Sequence, residues 1–89
     1  MPHFSHDLLK DINRSIVYQA IRDVASVDKK KRVRSAEWIG SKDYKDTIKM
    51  SGWNEEAITL MFRDLVGQPL GIRKKYVSDV LSGLESLSD

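Results

Sequence analysis

Apolar side chains return every three or four residues along almost the whole chain, and no segment alternates with period two for long enough to make a strand. That periodicity restricts the fold class to all-α. In the first half, Leu9, Ile12 and Ile16, then Val17, Ala20 or Ile21 and Val24, lay one stripe along a helix over roughly residues 7–26, with residues 1–6 as a flexible arm. Asp11 or Asn13 offers a second start inside it.

Punctuation divides the remainder. Asp28 is a cap for a second helix carrying Val33, Ala36 and Ile39, and Gly40 stands where a left-handed stop belongs. Ser41 restarts the chain into a short third helix with Tyr44 and Ile48 on one face, ended by Gly52. Asn54 caps a fourth helix, whose stripe is Ile58, Met61, Phe62 and Leu65 and whose end is Gly67. The stretch 67–71, with Pro69 between two glycines, reads as a loop. A last helix runs from Ile72 to about Leu87 with Tyr76, Val77, Val80, Leu81, Leu84 and Leu87 in line, and Arg73, Lys74 and Lys75 outside that line.

At 89 residues there is material for one domain, a bundle of four to five helices containing a helix-turn-helix-like αα-hairpin. Its expected core is Ile12, Ile16, Ile21, Val24, Val33, Trp38, Ile39, Tyr44, Ile48, Ile58, Met61, Phe62, Leu65, Val80 and Leu84. Such a core is thin, so only a few kcal/mol of stability is expected.

Charge is unevenly placed. The net charge is +2, too small for a whole-protein field to select a partner. Residues 29–49, however, hold eight basic and three acidic groups, whereas 1–28 hold three and four and 50–89 hold four and six. Lys29, Lys30, Lys31, Arg32 and Arg34 put five cations in six residues. Their mutual repulsion opposes a helix, and a phosphate backbone would relieve it through counterion release, with Trp38 offering an aromatic plane to a base or sugar. The competing reading is a solvated basic helix start, with Trp38 in the core.

The third helix, Gly52 and the capped fourth helix have the outline of a helix-turn-helix, with Trp53, Ile58 and Met61 at its usual buried positions. Thr47 and Ser51 fall where apolar residues are usual, and Glu55 and Glu56 head the reading helix, where carboxylates would face phosphates. A plain packing hairpin is the alternative.

Catalytic chemistry finds no residues to carry it. The chain has no cysteine, which removes thiolate metal sites and a thiol nucleophile and suits a reducing cytoplasm. There is no phosphate-cradling glycine loop and no acid pair of glycosidase spacing, so no enzyme, cofactor or metal is expected. His3 and His6 are the only histidines, in an arm expected to be mobile. Apolar runs stop at three residues, as in Leu60-Met61-Phe62, so no membrane segment is expected.

The stretches Ala20 to Asp23, Arg34 to Tyr44 and Met50 to Ile58 resemble a group of small phage and prophage proteins that are described as helix-turn-helix-like. In that group a W-[LI]-x-S-x-D-[FY] segment, here Trp38 to Tyr44, precedes an A-G-[LW]-[DN]-x-x-x-[VI] turn, here Ser51 to Ile58 with serine in place of alanine. The resemblance covers about residues 12–65 and implies a phage setting, a bacterial cytoplasm and a DNA-linked role.

Two functions from different classes follow. The first is a phage-type nucleic-acid-binding or transcription-related accessory protein. Lys29, Lys30, Lys31, Arg32 and Arg34 would contact phosphates, supported by Lys42, Lys45 and Lys49, while Asn54, Thr59 and Arg63 would read bases. The second is a protein-interaction module docking on a host enzyme or defence complex through Trp53, Leu60 and the basic patch. The last stripe, through Val77, Leu81 and Leu84, is also expected to pair in a homodimer, with folding back onto its own chain as the alternative.

Overall fold

A computed structural model describes residues 4–86 and shows five helices with no strand among the described residues: α1 Phe4–Val24, α2 Lys29–Trp38, α3 Lys42–Ser51, α4 Glu55–Val66 and α5 Leu70–Ser86. All three expected caps form. Asp28 accepts from the Lys30 amide at 2.9 Å, Ser41 Oγ from the Tyr44 amide at 3.1 Å and Asn54 Oδ1 from the Ala57 amide at 2.9 Å, each satisfying a donor that the first helical turn leaves unpaired.

The stops differ in mechanism. Gly40 and Gly52 take left-handed backbone, with φ of 88° and 82°. Gly67 stays right-handed at φ −71°, and α4 ends because Pro69, two residues on, lacks an amide hydrogen and disfavours helix in the residue before it. Pro69 then opens α5, its carbonyl accepting from Ile72 and Arg73 at 2.9 and 3.0 Å. The expected 67–71 loop is therefore shortened, with Gly71 inside the helix. α1 ends at Val24, two residues before the expected boundary, in a tightened turn where Ala25 and Ser26 donate to Arg22 and Asp23. Gly52→Ala is expected to cost about 1–2 kcal/mol in chemical denaturation, the penalty for a Cβ in left-handed backbone. The nearest obstacle to that Cβ is the flexible end of Lys10, at 3.1 Å, which can move aside.

α1 is the central element, with α2, α3 and α5 packed on it, and α4 closes the bundle against α3 and α5. The core joins Val17, Ile21 and Val24 to Tyr44, Ile48, Ile58, Phe62, Leu65 and Leu84. Edge-on aromatic contacts cross it, Trp38 on Tyr44 at 5.1 Å and Tyr44 on Phe62 at 6.0 Å. Thr47 and Ser51 are buried as hydroxyl residues; Ser51 Oγ donates to the Ile48 carbonyl at 2.6 Å and accepts from the Trp53 amide at 3.3 Å.

Three expected core residues are on the surface: Ile12 is 48% exposed, Ile16 43% and Val33 45%. The buried face of α1 is set by Val17, Ile21 and Val24, and on a 100° per residue wheel Ile12 and Ile16 lie well to one side of it. Val33 is on the face of α2 turned away from α1, opposite buried Ser35. Trp38, Ile39, Met61 and Val80 are half-buried against the core rather than within it.

Most of the C-terminal stripe packs within the chain, although Tyr76 at its start is 42% exposed. Leu84 is buried, and Val77, Val80 and Leu81 are half-buried against the core. Folding back, the alternative to pairing between chains, therefore accounts for this face; Leu87 lies outside the described residues. Arg73, which the sequence places only outside the apolar line of the last helix, ties three ends together. Its guanidinium donates to the Gln68 carbonyl at 2.8 Å, the Val24 carbonyl at 2.9 Å and the Val66 carbonyl at 2.8 Å.

Candidate phosphate-binding surface

Lys29, Lys30 and Lys31 form the first turn of α2 and Arg34 follows one turn later. The first turn holds no acidic residue, so these cations sit at the positive end of the helix dipole, where positive charge is unfavourable by some tenths of a kcal/mol each. The Asp28 cap offsets part of this. All four side chains are exposed, and none makes a hydrogen bond or ion pair with another described residue.

Arg32, the fifth cation of the run, is different. It is half-buried and donates to the Ser26 and Val27 carbonyls at 2.8 and 3.0 Å, fastening the α1–α2 turn instead of facing solvent. Its removal from the cluster leaves four free cations. On α3, Lys42, Lys45 and Lys49 are exposed at spacings of three and four, which places them on one side of that helix.

The residues expected to read bases are largely engaged elsewhere. The Asn54 side chain is the α4 cap. Thr59 Oγ1 is 2.8 Å from the Tyr44 hydroxyl, so its hydrogen-bonding group points into the α3–α4 contact. Burial raises the Tyr44 pKa above its ordinary value, against a lowering by the Thr59 bond, with the Glu55 charge adding a further rise. The phenol thus stays neutral and available to that bond. The Arg63 side chain is exposed with no hydrogen bond to another described residue, in a shallow cleft shared with Glu55, Glu56, Thr59 and Leu60.

Neither tryptophan is a free contact residue. Trp53 is 92% buried (8% exposed), edge-on to Tyr18 at 5.7 Å, and the Arg14 guanidinium lies 4.9 Å from its ring centroid. Its expected role as an exposed anchor is therefore corrected: the turn after Gly52 points it inward. Trp38 is half-buried, and its indole donates to Asp43 Oδ2 at 2.9 Å, which fixes the ring. One side of it lines a groove between α1 and α2 with Ile16, Ala20 and Arg34. Leu60 is 57% exposed, as the interaction reading requires.

Among the described residues no three His, Asp or Glu side chains come together to hold a metal, and no helix is long and apolar enough to cross a membrane. His3 lies outside the described residues, as does the His6 side chain. The chain matches no family model, no curated protein and no solved structure.

Sequence alone located the cationic run and missed the arginines that serve as clamps, Arg32, Arg73 and also Arg14, whose Nε donates to the Ser51 carbonyl at 2.9 Å. Arg32 and Arg73 carry no local signature, because the carbonyls they cap belong to other turns and, for Val24, to a helix 49 residues away.

Proposed function

We propose that this chain is a nucleic-acid-binding accessory protein that grips the phosphate backbone through α2 without reading sequence through α4. One observation carries this: the Lys29, Lys30, Lys31 and Arg34 side chains are exposed and make no hydrogen bond or ion pair with another described residue, and the three lysines lie in a first helical turn that disfavours positive charge. A polyanion there replaces repulsion with attraction and releases counterions. Lys42, Lys45 and Lys49 supply further phosphate contacts. Glu55 and Glu56 beside Arg63 make α4 a poor entrant to a groove, which argues for sequence-tolerant binding. The resemblance to phage and prophage proteins supplies the setting, a transcription-related role in a bacterial cytoplasm.

Titration of duplex and single-stranded probes across salt concentrations tests the proposal. The four α2 contacts alone give a slope of log affinity against log salt of about −3.6 on duplex, from about −0.9 per contact, and the three α3 lysines take it towards about −6.3. Absence of binding at about 50 mM salt, or binding indifferent to salt, rejects it.

The exposure of Leu60 beside Arg63 favours a second reading, a module that docks on a host enzyme or defence complex. A specific protein retained from nuclease-treated host lysate, and lost with Leu60→Asp, selects that reading over the first.

A further inference from the structure

α2 begins on its cations and ends on Trp38, and the groove beside that tryptophan adds a second ligand chemistry to the first. Lys30, Arg34 and Trp38 are spaced by four, which sets them on one side of α2 at steps of about 6 Å along its axis. Arg34 borders two hollows. With Lys29 and Lys30 it edges the cationic start of the helix, and with Trp38 it edges a groove of about 330 Å³ between α1 and α2. That volume is at the small end of the range of small-molecule sites, about 300–1,000 Å³.

The walls of the groove differ in kind. Ile16 and Ala20 of α1 and one side of Trp38 are apolar. Trp38 is held in place, since its indole donates to Asp43 Oδ2 at 2.9 Å, so a flat ring can pack on it without the cost of first ordering it. On the α1 rim Gln19 Nε2 donates to Asp23 Oδ1 at 3.0 Å, which leaves the Gln19 carbonyl oxygen and the second Asp23 oxygen to accept. On the α2 rim the Arg34 side chain makes no hydrogen bond or ion pair with another described residue.

This order of charges selects among occupants. A bare phosphate in the groove would meet the Asp23 carboxylate, and an apolar peptide would press Arg34 and Asp23 against carbon. A nucleotide suits all of it: the base offers flat faces to Trp38 and Ile16 and an amino edge to Gln19 and Asp23, while its phosphate meets Arg34. In a duplex the base faces are stacked and the amino edges paired, so only an unpaired base can enter.

We infer that the α1–α2 groove seats one unpaired base of a single-stranded nucleic acid, packed on Trp38, with the neighbouring phosphates on Arg34 and Lys30. The inference rests on the reading of α2 as a phosphate-binding helix, and adds what lies beside those phosphates.

Three labelled probes titrated against the full chain at one salt concentration test it: a deoxycytidine oligonucleotide, an abasic strand of equal length, and a duplex. The wild-type chain is expected to bind the deoxycytidine strand about 5- to 150-fold more tightly than the abasic one, the contribution of one base on an aromatic ring. Trp38→Leu, with its fold checked by circular dichroism, is expected to lose that preference. Because the comparison between strands uses the wild-type chain, it stands even if the variant fails to fold. Equal, salt-dependent affinity for the two strands overturns the groove and leaves the phosphate reading of α2 intact. A folded Trp38→Leu variant that keeps the full preference also overturns it, since the base then sits elsewhere. Failure of all three probes to bind rejects the phosphate reading and this inference together.

Discussion

Replacing Lys30, Lys31 and Arg34 together by alanine is expected to lower affinity for duplex by about 10³-fold at about 50 mM salt, and to reduce the salt slope by about 2.7. The magnitude follows from three lost phosphate contacts, each worth about 0.9 in slope and about one decade in affinity at that salt. The loss is the same for unrelated probe sequences, since phosphate contacts position without specifying. The fold responds in the opposite direction. Lys30 and Lys31 lie in the first turn of α2, so their removal relieves a cation–dipole clash and leaves thermal stability equal or slightly higher. Arg32→Ala supplies the contrast, because its guanidinium holds the Ser26 and Val27 carbonyls. That variant is expected to lose about 1–2 kcal/mol of stability and to keep the salt slope. Fluorescence anisotropy across a salt series, with a melting curve for each variant, separates the two. A triple variant whose slope equals that of the wild type removes α2 from the binding surface.

Arg73→Met is expected to cost about 3 kcal/mol of folding stability. Methionine keeps the apolar stem and the helix propensity, so the change isolates the guanidinium. Three carbonyls lose a charged donor at once: Val24 at the end of α1, Val66 at the end of α4, and Gln68 in the connection to α5. These are helix ends whose last carbonyls lack intrahelical partners, and the partial negative charge there favours a cation. In a domain of this size, where about 1 kcal/mol shifts the melting temperature by roughly 4–8 °C, the midpoint falls by about 12–24 °C. Arg73→Lys recovers less than half, because an ammonium cannot span three carbonyls as a planar fork does. Urea denaturation of the three proteins checks the order. A loss below about 0.5 kcal/mol for Arg73→Met shows that water serves the three carbonyls as well as the guanidinium does.

About half of the candidate surface is legible in the sequence. Lys29, Lys30, Lys31 and Arg34 were found because a run of like charge is visible in consecutive residues, and their freedom in the fold agrees with the cost of pairing so many cations internally. Arg32, a cation like the others of the run, is set apart by where the preceding turn leaves two carbonyls. Asn54 and Thr59 face the same limit. Each has a polar group that suits a base edge, and each spends it within the protein, Asn54 on its own helix and Thr59 on Tyr44, fifteen residues earlier.

By itself the sequence determined the all-α class, the order of five helices, and the caps at Asp28, Ser41 and Asn54 together with the left-handed stops at Gly40 and Gly52. These depend on groups no more than about four residues apart, so the chain carries them in its local pattern. Tertiary structure decided which side of each helix is covered. It buried Val17, left Ile12 and Ile16 outside, settled Trp53 as buried rather than exposed and made Arg73 a clamp. Apolar periodicity places residues on a helix but not against a neighbour, and the cover for any face comes from elements tens of residues away, whose packing is settled only when all of them compete for one core.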